Sequence, residues 1–122
     1  MKIVKIMPDY GCFPLWYYDD SNCFIDNLPL DSDILNISDS LIERLYKWSI
    51  DYDNTLNQDY PPDSGFNTEK DLKYFLIEGL SLWNELISEL PDFKIIYFSV
   101  ENYELYEDIN NYESKLLAKF SN

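Results

Sequence analysis

Between Leu41 and Leu90 apolar residues recur at helical spacing in two runs, and the interval between the runs carries Pro61-Pro62. In the first run Leu41, Leu45, Trp48, Tyr52 and Leu56 draw one stripe along one helical face. In the second, Leu72, Phe75, Leu76, Gly79, Leu82, Trp83, Leu86, Ile87 and Leu90 keep the same period up to Pro91. Adjacent prolines lack backbone donors and push the residues before them out of the helical region, so the first helix must end ahead of them. The pattern predicts two antiparallel amphipathic helices.

Their starts are signalled less evenly. Thr68 with Asp71 reads as a capping pair. For the first helix Ser40 with Glu43 forms a capping box, while a start at Ser38 would let Ile37 staple against Ile42, and both remain open. Gly79 costs its helix about 1 kcal/mol relative to alanine, which predicts another backbone passing close to it.

Around the helices lie strand patterns: Lys2–Met7, with Val4 and Ile6 on one side, then Pro14–Tyr18, Cys23–Ile25 and the β-branched, aromatic Lys94–Val100. Pro8 with Gly11 and the Asp19-Asp20-Ser21-Asn22 cluster mark turns, and Asp26–Ile37 reads as a connector. A final helix is expected from Ser114 to Phe120. The fold class expected is α+β: a small single domain whose antiparallel sheet carries two amphipathic helices on one face, with the tail from about residue 101 less defined. At 122 residues such a chain buries about two-thirds of its unfolded surface and folds without metal or crosslink.

Charge narrows the function. Nine Lys and Arg against 23 Asp and Glu give a formal net charge of -14, a field that repels phosphate backbones and anionic membranes and favours a basic partner. Between Met7 and Asp63, twelve acids face only Arg44 and Lys47. With 46% hydrophobic and 17% aromatic residues the acidity belongs to a packed body, not a disordered tail. No apolar run approaches a membrane span and Met1–Lys5 leads into a strand without a secretory core, so the expected location is the cytoplasm.

Histidine is absent, which removes Cys-His and Ser-His machinery. Cys12 and Cys23, outside any ligand spacing, are expected as small buried thiols, and Asp9, Asp19 and Asp20 would push a Cys12 thiolate the wrong way for a nucleophile. Asp51, Asp53, Thr55, Asn57 and Asp59 alternate as in a helix-flanked calcium loop, but Leu56 stands where that loop needs Gly and Pro62 where it needs a bidentate Glu. No cofactor or metal is expected. Carboxylate pairs such as Asp19 with Asp20, or Asp51 with Asp53, show no apolar shell to split their acidities, so solvated turns and a helix end explain them. Asp51 and Asp53 sit at a helix C-terminus, where negative charge costs about 0.3–1 kcal/mol. Among the 11 tyrosines, Tyr52, Tyr74 and Tyr97 fit the core, while Tyr10, Tyr17, Tyr18 and Tyr60 fall among acids in loops or strand ends, as in a surface that grips a cationic protein.

DYGCFPLW at Asp9–Trp16, Leu28-Pro29-Leu30, RLYKWSIDYDNTLNQDYPPDSGF at Arg44–Phe66 and FLIEGLSLWNEL at Phe75–Leu86 resemble the small cytosolic immunity proteins that accompany bacterial polymorphic toxins, contact-dependent growth inhibition systems included. The resemblance covers about residues 1 to 100. It implies a non-enzymatic inhibitor, or antitoxin, that binds a cognate toxin domain and blocks it; many such toxins are basic nucleases. The segment 52 to 66 then reads as a prolyl-braced acidic loop used for recognition. Its candidate contacts are Asp53, Asn57, Asp59, Tyr60, Asp63 and Ser64, with Asp9, Tyr10, Asp19 and Asp20 as a second patch on a protein expected to be monomeric. Turn geometry alone would also select Pro61, Pro62 and Gly65. Two other classes fit the acidity: a nucleic-acid mimic, which would space its charges along an elongated face, and a carboxylate hydrolase, which would need a concave pocket around an acid of raised pKa.

Overall fold

Lys94–Ser99 (β4) alternates strictly, with Ile95, Tyr97 and Ser99 buried and Lys94, Ile96 and Phe98 only partly covered. Lys2–Ile6 (β1) buries Val4 and Ile6 on the same side, and the two strands pair in parallel, Val4 opposite Ile95 and Ile6 opposite Tyr97. This computed structural model describes residues 2–19, 24–28, 35–57, 59–60 and 65–120. Leu15–Asp19 (β2) lies antiparallel on the other side of β1, and Phe24–Asn27 (β3) beyond it. Glu104–Tyr106 (β5) closes the opposite edge against β4, so the sheet runs β3-β2-β1-β4-β5.

The expected antiparallel sheet therefore holds for three of the four strand pairs, and β1 with β4 is the parallel one. Between β1 and β4 the chain passes through the helical hairpin, and a connection that crosses over the sheet returns a strand in its original direction. The hairpin is α1 (Asp39–Asp53) and α2 (Glu69–Glu89), and Ile109–Phe120 (α3) follows β5.

Ser38, not Ser40, begins α1: its backbone is extended and its Oγ accepts the N–H of Leu41. The acid that a capping box would supply from within the helix comes from the far end of α2. Glu89 accepts the Ser38 N–H at 2.6 Å and the Ser38 hydroxyl at 2.9 Å. The start of α1 is thus fastened to the end of α2. Further along, Arg44 forks onto Glu78, Nη2 at 2.8 Å and Nε at 3.3 Å, and also donates to Ser81 Oγ. Trp48 stacks on Phe75 at 4.5 Å between ring centres and donates its indole N–H to the Phe75 carbonyl. Contacts pairing 38 with 89, 44 with 78 and 48 with 75 are those of antiparallel helices.

Tyr97 ties this hairpin to the sheet. Its buried ring stacks on Trp83 of α2 at 5.3 Å, meets Trp48 of α1 at 6.4 Å and Tyr112 of α3 at 4.9 Å, so all three helices cover one face. Gly79 sits directly above. A Cβ there would overlap the Tyr97 hydroxyl and stand 2.9 Å from Trp48 Cζ2. The glycine is needed for close approach, but what approaches is a pair of aromatic side chains and not a second backbone.

Other expectations shift in detail. The last helix begins at Ile109 instead of Ser114, because Asp108 accepts the N–H of Asn110 and Tyr112 joins Leu116 on its buried face. Strand β5 falls in the tail that carried no strand signal. Ile87 and Tyr74, each off the line of Leu72, Leu76, Trp83 and Leu90, are exposed. Cys12 is half-buried instead of fully buried, and burial, then Asp9 and Asp53, push its thiol up. Strand β3 runs on to Asn27, where the connector was expected to have begun, and Cys23, the 20–22 part of the second turn and residues 29–34 of the connector lie outside the described residues. No helix among the described residues is long and apolar enough to cross a membrane.

Two outcomes follow from this core. Gly79→Ala, which stabilises an ordinary exposed helix, should here lower stability by roughly 1–3 kcal/mol in a denaturant titration, and combining it with Tyr97→Phe should recover part of that loss. The phenols of Tyr97 and Tyr112 are pushed up chiefly by burial. Below the ordinary tyrosine value, about 10, both states keep these protons; above it the unfolded chain releases them and the folded chain holds them. Denaturant midpoints should therefore fall once pH rises past about 10, less steeply in Tyr97→Phe.

Candidate protein-binding surface

Thr55 is the joint at which the acidic segment leaves α1. Its buried hydroxyl donates to the Tyr52 carbonyl at 2.6 Å and lies 3.2 Å from the Tyr10 hydroxyl, while its own carbonyl accepts the Gly65 N–H at 2.9 Å. That last bond draws the two ends of the loop together. Tyr10 comes from the β1–β2 turn, where Cys12 N–H bonds back to the Asp9 carbonyl and Gly11 takes φ +74°, a conformation glycine adopts without strain. The Tyr10 ring lies flat on Tyr52 with centroids 4.6 Å apart, and Gly11 N–H donates to Asp53 Oδ1 at 3.0 Å.

These contacts unite residues that are more than forty positions apart in the chain. Asp53, at the unfavourable end of α1, is satisfied by the turn it holds. Asn57 is likewise structural, since its Oδ1 accepts the N–H groups of Asp59 and Tyr60 and bends the chain there. Asp59 and Tyr60 point outward, Tyr60 at 58% exposure. Asp63 and Ser64 lie outside the described residues, as do Pro61 and Pro62.

The second expected patch is divided. Asp9 and Tyr10 join the α1 exit, whereas Asp19 ends β2 opposite Lys2, a strand length of roughly 13 Å from the turn. Asp20, next to it, is outside the described residues.

Two open clefts flank the joint. One, of about 560 Å³, runs between α1 and the start of α2 and is walled by Trp48, Phe66, Phe75 and Tyr74, with Asp51, Asp71 and Lys47 in its lining beside the paired Arg44 and Glu78. The other, of about 390 Å³, is lined by Tyr10, Tyr52, Phe66, Glu69, Val100, Glu101 and Tyr103. Thr55, Phe66 and Asn67 border both. Burial, followed by Tyr10, pushes the Tyr52 phenol well up, so it presents a neutral hydroxyl.

Sequence reasoning missed the α2 entry and the β4–β5 tip. Tyr103 is the residue with most to say: it is 76% exposed and holds φ +58°, a left-handed conformation that costs a side chain with a Cβ about 1–2 kcal/mol. Its N–H closes the tip onto the Ser99 carbonyl at 2.7 Å, a bond glycine would make equally well. Nothing in the local pattern of the tail announces that turn. Tyr74, assigned to the core from its helix, is 63% exposed and lines the first cleft beneath Lys70.

The arrangement offers carboxylates, tyrosine hydroxyls and ring faces on one end of the molecule. No curated protein matches the chain. Residues 2–100 match a family described as Serratia CdiI immunity protein-like, from the start of β1 through the end of β4. The chain belongs to that family, the immunity proteins of contact-dependent growth inhibition.

Proposed function

We propose that this chain is a non-enzymatic immunity protein that works in the cytosol as a monomer, binding the toxin domain made with it and occluding that domain's active or substrate-binding surface. The toxin is a basic one, such as a nuclease. The observation that carries this reading is the convergence of the β1–β2 turn, the α1 exit and the α2 entry into one acidic, tyrosine-bearing end. Family membership supplies the class of partner, and this end supplies a surface for it.

Asp53, Asn57 and Thr55 brace the surface, spending their polar atoms on the turn and the loop. Asp9, Asp59 and Tyr60 are exposed and reach the partner, and Asp63 and Ser64 belong with them by sequence. Carboxylates placed where substrate phosphates lie against the toxin's Lys and Arg side chains exclude the substrate by charge and by volume, and tyrosine rings fill the apolar gaps between them. Asp19, a strand length from this contact, and Asp20, next to it in sequence, add to the negative field that steers approach.

Reversing charge with Asp59→Lys and Asp63→Lys should slow association with the toxin domain by about tenfold at low salt and flatten its salt dependence, with dissociation changed less. Stopped-flow association across a salt series reads both. Unchanged kinetics would remove this loop from the contact.

A further inference from the structure

We infer that the β4–β5 tip is a partner contact: Tyr103 forms one wall of a cleft that receives a cationic side chain, an arginine, from the bound protein. This rests on the immunity reading and deepens it.

The starting point is a residue that the fold does not need. Tyr103 bears left-handed strain, is mostly exposed, and meets Phe98 only edge-on at 6.3 Å, so little of its ring is buried to offset that strain. Glycine would close the same tip without the penalty. A strained residue left in the open points to use outside the fold.

Its position supplies the use. Tyr103 shares the smaller cleft with the stacked pair Tyr10 and Tyr52, which come from the turn and from α1. Ring faces attract guanidinium and ammonium groups, arginine more often than lysine. Glu69, in the first turn of α2, and Glu101 add negative charge to the rim. Two features oppose a cation: the positive end of α2, and Lys119, which pairs with Glu101. Glu69 and Asp71 answer the first, and Lys119 reaches the rim from the α3 side, so Glu69 and the rings remain for the guest. The net charge of -14 favours cationic guests over all others. The tip also lies beyond the stretch shared with the family, which ends at residue 100, as suits a contact made with this chain's own partner.

The test has two arms, both on the full chain. In the first, NMR titrations compare N-acetyl-arginine amide with N-acetyl-citrulline amide, its neutral counterpart. The arginine compound should shift ring signals of Tyr103 and Tyr10 and bind about fivefold more tightly than citrulline; Tyr103→Gly should abolish the preference and Tyr103→Phe retain it. Equal binding of the two compounds, or shifts confined to other surfaces, overturns the assignment. In the second arm the probe is the cognate toxin domain that the immunity reading assigns to this chain. Tyr103→Gly should raise Tm yet weaken binding roughly tenfold, while Tyr103→Phe stays within about threefold of the parent. A Tyr103→Gly protein that binds this domain at full strength overturns the tip contact and leaves the immunity reading standing. If the parent chain itself fails to bind while arginine still occupies the cleft, the immunity reading fails and the cation site survives.

Discussion

The contact between Tyr97 and Gly79 sets how closely the helices approach the sheet, and the placement of every surface element follows from it. A side chain at 79 would lift α2 from β4, and Trp83, whose indole N–H reaches the Ile95 carbonyl at 3.1 Å, would lose its partner. Trp48 would move as well, because its ring shares the same contact while its N–H is committed to the Phe75 carbonyl. Aromatic rings in one core thus carry hydrogen bonds that only one helix height satisfies. Loose hydrophobic burial would tolerate sliding; indole donors at fixed carbonyls do not.

That height fixes the exit of α1 beside the entry of α2. The Ser38–Glu89 bonds pin one end of the hairpin, Arg44–Glu78 its middle, and Trp48–Phe75 the other end. With the hairpin registered, Tyr52 presents its ring where the β1–β2 turn can lay Tyr10 on it, and Asp53 receives Gly11. The acidic end is therefore a product of the core and not an independent loop attached to it.

Much of this was legible from local pattern and some of it could not be. The Thr68 cap, the central strands and the turn at Gly11 each depend on residues within a few positions of one another, and each stands where its pattern places it; the helical stripes do so as well, except that α1 ends at Asp53, short of Leu56, and Ile87 is exposed. The cap of α1 was ambiguous because its second half, Glu89, is fifty-one residues away. The parallel pairing of β1 with β4 is a property of the path between them, and β5 is three residues long, too short to show a period. At the site the same division holds. The acids and tyrosines of the 52 to 66 segment were visible as a composition, but which of them use their polar atoms within the fold was not, since Asp53 owes its bond to Gly11 from another turn. Tyr74 shows the converse error: placed in the core on residue type, it lies on the exposed side of α2.

Holding a surface together and lying exposed on it make opposite demands on a side chain, and this end of the molecule separates them by position. Groups that hold the end together lie inside it, with their polar atoms used within the molecule: Thr55 buried, Asp53 and Asn57 half-covered. Groups at its rim, Tyr60, Tyr74 and Tyr103, expose more than half of their surface, and Tyr103 does so at the cost of backbone strain. A rigid frame allows that cost, because order already fixed by the core does not have to be purchased again on association. In the proposed contact, rings held in place before the partner arrives lose little entropy, and the negative field around them governs which partners come near. In that proposed contact affinity and selection thus fall to different atoms: the rings supply contact area, and the carboxylates decide what reaches them.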